Sequence, residues 1–162
     1  MKAFALFALT AAIGFGQSLP PYWAKGALNP AVTQETIGAT ICKSGWSKTV
    51  RPPAAYTNRL KIEQLQRLLI LVRLSAEGGP SPADYEEDHR VPLELGGAPR
   101  GEENLWPEPW ARPYGAHEKD RLENALKRDV CKGKLSLAAA QAVFLGDWWA
   151  EYRRRFEKGT PR

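Results

Sequence analysis

The 162-residue chain contains only two histidines, and one of them, His89, directly follows Asp88. The pair lies in Tyr85-Glu86-Glu87-Asp88-His89-Arg90-Val91-Pro92-Leu93-Glu94-Leu95-Gly96-Gly97, and Asn104-Leu105-Trp106 follows a few residues later. A carboxylate is a hard oxygen ligand for a divalent cation, and a neutral imidazole accepts a proton near pH 7. Side by side they can activate a water molecule against an anion neutralised by a metal. Asn104 offers a further oxygen ligand. His117, thirteen positions beyond Asn104, offers a nitrogen.

These residues need elements to hold them. Short strands are expected over 86–91 and 104–106, with the Gly96-Gly97 turn between them. A regular strand sends neighbouring side chains to opposite faces, so Asp88 and His89 can act on one reacting group only at a bulge or a strand end. Upstream, Thr33 is placed to cap a short helix running to Cys42, Gly45-Trp46 reads as a turn, and Pro52-Pro53 interrupts regular structure. Leu60, Leu65, Leu68, Leu69 and Val72 form the apolar stripe of a helix over 56–74, and a loop follows at 77–82. Downstream, Leu122, Leu126 and Val130 mark a helix over 116–130. Ser136 begins a last helix whose Ala140, Phe144, Trp148 and Tyr152 are spaced by four. The expectation is one α+β domain, mostly helical, with a short hairpin.

Met1-Lys2 followed by an apolar run to Phe15 has the form of a signal peptide over 1–16 and is too short for a membrane span. An extended arm over 17–30 and a domain over 31–158 follow. Export to the periplasm or the medium makes a Cys42–Cys131 disulfide the expected state of the two cysteines, with two buried thiols as the alternative. Removing Lys2 lowers the net charge from +5 to 5 − 1 = +4, a balance that suits a polyanionic partner. Lys43, Lys48 and Arg51 cluster around Trp46, and Arg153, Arg154 and Arg155 adjoin near the C-terminus. Both basic groups contrast with the acidic knot Glu86-Glu87-Asp88.

Asp88-His89, Pro92, Gly96-Gly97 and Asn104-Leu105, with a helix soon after, resemble the HNH nucleases. Tyr85 to His89, Pro92 to Gly97, Asn104 to Pro109, Lys119 to Glu123, Thr40-Ile41-Cys42, Gly45-Trp46 and Val130-Cys131 are similar to small exported bacterial proteins of that type. The resemblance covers about residues 29–152. It implies a ββα-metal unit over about 84–130 in which His89 is the general base. Asp88 becomes a metal ligand, Asn104 a second ligand or the brace of the histidine loop, and His117 a ligand displaced along the chain. One divalent ion is implied, Mg²⁺ first, with Mn²⁺, Zn²⁺ or Ni²⁺ as alternatives. Arg90, Lys119 and Arg121 become candidates for phosphate contact. The implied activity is metal-dependent hydrolysis of DNA, or of RNA, by a monomer free of the membrane after signal cleavage.

Two other classes compete. A non-catalytic nucleic-acid or envelope-binding module could keep the same fold. A glycosidase could draw on Glu86, Glu87, Asp88 and Glu94, but adjacent carboxylates on one strand do not flank a sugar ring. Trp106 and Trp110 read as packing residues for the hairpin.

Overall fold

The computed structural model describes residues 20–72, 81–110 and 115–157, without the side chains of 69–72. The signal peptide expected over 1–16, most of the loop at 77–82 and the end of the expected domain lie outside the described residues. Among those described are five α-helices and one two-stranded antiparallel hairpin, so the fold is α+β and about half helical. In chain order the elements are α1 (Trp46–Val50), α2 (Ala54–Val72), β1 (Tyr85–His89), β2 (Leu105–Pro109), α3 (Ala116–Cys131), α4 (Leu137–Leu145) and α5 (Trp148–Phe156). No helix among the described residues is long and apolar enough to cross a membrane.

The hairpin pairs Tyr85 with Pro109, Glu87 with Pro107 and His89 with Leu105 in unbroken register. There is no bulge at Asp88. His89 instead ends β1, and the chain leaves the strand there. The prolines of β2 are tolerated because a two-stranded ribbon has free edges for residues without an N–H. On one side of the hairpin lies α2, whose Gln64 side chain donates to the Leu105 carbonyl and whose Lys61 ammonium donates to that of Tyr85. The main core joins α3, α4 and α5 through Leu122, Leu126, Val130, Leu137, Phe144, Trp149 and Tyr152, with Val32, Ile41, Val91 and Leu95 completing it.

Three expectations need correction. Residues 34–42 form successive turns, not a helix. The Thr36 hydroxyl donates to the Ala31 carbonyl and that of Thr40 to the Thr36 carbonyl, local bonds that compete with a helical ladder. The helix α1 occupies the stretch read as a Gly45-Trp46 turn, and Gly45 enters it at φ 78°. The last helix is two helices. Gly146 ends α4, and the Asp147 carboxylate accepts from the N–H groups of Trp149 and Ala150, which starts α5.

The Cys42–Cys131 disulfide is present and ties the turn segment to the end of α3. Its closed loop of about ninety residues corresponds to about 4 to 5 kcal/mol in the chain-entropy account. The N-terminal arm is fastened down: Trp23 and Ala24 pack on Trp106, and Leu28 bridges to Gly97.

Candidate functional site

The turn after β1 is built to hold His89. Asn104 spends its amide on that turn: Oδ1 accepts from the Val91 N–H at 2.8 Å, while Nδ2 donates to the carbonyls of Val91 and Ala98 at 3.0 and 2.8 Å. Of the two roles the resemblance offers Asn104, these bonds are those of a brace. The close approach explains the glycines, since a Cβ on Gly97 would lie 1.8 Å from the Val91 oxygen and Gly96 adopts φ 78°. The same turn brings the Pro99 carbonyl to 3.2 Å from Nε2 of His89. A carbonyl only accepts, so Nε2 carries the hydrogen and Nδ1 is left with the lone pair when the ring is neutral. His89 is 3% exposed, and burial pushes its pKa below the ordinary value against the opposing pull of Asp88 and the Pro99 carbonyl. The ring is therefore a neutral base at pH 7.

His89 lines a cleft of about 380 Å³ between the hairpin and α2. Ala54, Thr57, Asn58 and Lys61 line it from one face of α2, at helical spacings of three and four. Arg51, Glu86, Glu87 and Trp110 are also part of the wall. Glu87 is 8% exposed and neither carboxyl oxygen has a hydrogen-bond partner. Burial, with Asp88 adding to it, pushes Glu87 up to about 8, and the same causes hold Glu86 at about 7. Glu87 is thus a protonated carboxylic acid at neutral pH, its carboxyl oxygens buried behind the cleft wall.

Asp88 has different surroundings. Its Oδ1 accepts from the His89 N–H at 2.7 Å and lies 4.0 Å from Nδ1 of the ring, while Oδ2 accepts from the Lys119 ammonium at 2.6 Å. Lys119 is 1% exposed and lies 2.5 Å from Glu123 Oε1 and 3.7 Å from Glu108 Oε2. Burial opposes the charge of Asp88, but Lys119 and His89 outweigh it and hold the carboxyl down at about 2. Burial also opposes the charge on Lys119, and its three carboxyl neighbours overcome that, raising its pKa well above normal. Burial pushes Glu123 up to about 8, despite Lys119, and Glu108 well above the carboxylate range. Asp88 and Glu123 therefore share the Lys119 ammonium, which contacts a carboxyl oxygen of each.

The other expected site residues are dispersed. Arg90 turns inward, donating to the carbonyls of Ala24, Phe144 and Leu145, so it clamps the arm and α4 and does not line the cleft. Lys119 is buried and out of reach of a phosphate. Arg121 stacks its guanidinium on Phe156, 4.1 Å from the ring centroid. His117 is exposed and packs at a tilt against Trp110, with ring centroids 5.1 Å apart. Arg154 and Arg155 pair with Glu151, and Arg155 also with Asp129, so part of the C-terminal arginine run fastens helices together.

The expected metal ligands do not fit a divalent ion as they are arranged. Asp88 is engaged by an ammonium group, Asn104 by three backbone groups and His117 by an indole. Among the described residues no group of three or more His, Cys, Asp or Glu side chains is set to hold a metal. The spacing signals missed the cleft residues Arg51, Lys61, Glu87 and Trp110 as a set. The 54, 57, 58, 61 face of α2 was the available sign of it. Compared with known protein families, curated proteins and solved structures, the chain matches none.

Proposed function

We propose that this protein is an exported endonuclease of HNH type that hydrolyses phosphodiester bonds of DNA or RNA with His89 as general base. The observation that carries the reading is the His89 ring, neutral, buried and oriented through Nε2 by the Pro99 carbonyl, on the wall of a cleft that also presents Arg51 and Lys61. In the reaction, Nδ1 takes a proton from water as the water oxygen attacks phosphorus, and the bond to the departing sugar oxygen breaks in line, that oxygen taking a proton from solvent as it leaves. The Asp88 carboxylate, 4.0 Å from Nδ1, stabilises the imidazolium that forms. Arg51 and Lys61 offset the charge of the substrate backbone, and Trp110 offers a face on which a base can stack. The disulfide and the basic balance suit an exported protein acting on a polyanion.

A second reading, a nucleic-acid-binding module without catalysis, draws on the engagement of Asp88 by Lys119, which leaves the expected ligand set unassembled. The two separate in one assay. The purified protein is incubated with supercoiled plasmid and with structured RNA, in chelator and in Mg²⁺ or Mn²⁺, and binding is followed in parallel by gel shift. Nicked and linear products support the nuclease. Retarded but intact nucleic acid under every condition gives the binding module.

A further inference from the structure

The group that meets Asp88 on the side away from the cleft is a cation supplied by the chain itself. Lys119 projects from the first turn of α3 into a closed space bounded by Asp88 on β1, Glu108 on β2 and Glu123 one turn further along α3. Three carboxyl groups from three elements converge on one point, and that point is Nζ. Glu108 is 1% exposed, and its Oε2, aimed at the ammonium from 3.7 Å, has no hydrogen-bond partner. A divalent ion entering at Asp88 would meet this ammonium at 2.6 Å from the oxygen it needs. Two cations cannot share that oxygen in a space closed to water.

We propose that the Lys119 ammonium is the resident cation of this cage, so that Asp88 serves as a carboxylate held in place for His89 and takes no divalent ion. Lys119 is then a positioning residue, acting on the base through Asp88. Replacing it by an uncharged side chain frees the same three carboxyl groups as oxygen donors, the donor type that Mg²⁺ and Mn²⁺ require, which can then close on a divalent ion. The inference deepens the nuclease reading at the Asp88–His89 pair, but the cage itself is tested without any activity.

The probe is Mn²⁺ alone, followed by electron paramagnetic resonance with the folded full-length mature protein, its Asp88→Asn variant and its Lys119→Met variant. The wild type is expected to bind no Mn²⁺ that Asp88→Asn releases. Lys119→Met is expected to acquire a site whose affinity falls roughly tenfold or more when Asp88→Asn is added. Because Lys119→Met removes a buried charge and could fail to fold, a second measurement uses the wild type only. Nitrogen-edited NMR should show one lysine ammonium in slow exchange with water, unbroadened by Mn²⁺ and lost from the spectrum of Lys119→Arg. One equivalent of Mn²⁺ bound by the wild type and released by Asp88→Asn overturns the proposal, as does an ammonium resonance that exchanges freely. Either result leaves plasmid cleavage by His89 untouched, whereas a protein that cleaves nothing but shows the protected ammonium removes the nuclease reading and keeps the cage.

Discussion

Glu87 and Asp88 are neighbours on one strand, both about nine-tenths buried, and they end in opposite protonation states. Asp88 reaches the Lys119 ammonium and is held at about 2, while Glu87, buried on the cleft side, finds no partner and is pushed up to about 8. Burial acts on both in the same direction. What separates them is contact with a cation: Lys119 bonds Asp88 directly, whereas Lys61 acts on Glu87 only from beyond ion-pair distance, and alternation along β1 decides which element each side chain meets. His89, one residue further, lies on the cleft side beside Glu87 but close enough to Asp88 to use its charge.

The largest effect should come from breaking the Asp88 side. Lys119→Met leaves a buried carboxylate without its counter-ion and should cost about 3 to 5 kcal/mol of stability, read by urea unfolding near pH 7. Loss of less than about 1 kcal/mol would mean that the cage is open to water. Asn104→Ala removes three bonds that fold the histidine turn, at about 1 kcal/mol each, so a loss of about 3 kcal/mol is expected together with lower cleavage activity. On the cleft side, Arg51→Ala should raise KM roughly tenfold with little change in kcat and flatten the dependence on salt, the signature of a lost phosphate contact.

The last effect is a slope. In the unfolded chain Glu87 titrates near ~4.3, whereas in the fold it titrates at about 8. Between these values the native state holds the extra proton, so this contribution to stability is fully present below the unfolded value and is lost as pH rises through about 8. Glu87→Gln, which cannot ionise, should match the wild type near pH 4 and be more stable by on the order of ten degrees at alkaline pH in thermal scans. Equal slopes for the two proteins would place Glu87 in contact with solvent.

The helices α2 and α3 and the hairpin were legible because hydrophobic period and glycine turns report them locally. The split between α4 and α5 was written in Gly146-Asp147, a stop followed by a cap, but the apolar spacing of four runs through both helices and masks it. The turns at 34–42 depend on threonine hydroxyls choosing backbone partners, a competition that composition does not resolve. At the site, the Asp88-His89 pair and Asn104 stood out as residue types, and the turn that joins them is the one their spacing suggested. Lys119 did not read as buried, although it stands three residues before Leu122 and seven before Leu126, on the apolar stripe itself. A lysine on such a stripe needs carboxylates from elsewhere, and those came from β1 and β2 across the fold. Arg90 misled for the same reason: its partners are backbone carbonyls of the arm and α4, distant in sequence.

Cleavage of supercoiled plasmid by the wild type beside His89→Ala, with both shown to be folded by circular dichroism and free of contaminating nuclease, tests the role of His89 most directly. Loss of the positioned base should lower the rate by about 10² to 10⁴ while gel-shift affinity for DNA stays the same. Equal cleavage by the two proteins would contradict the assignment of His89 as the base.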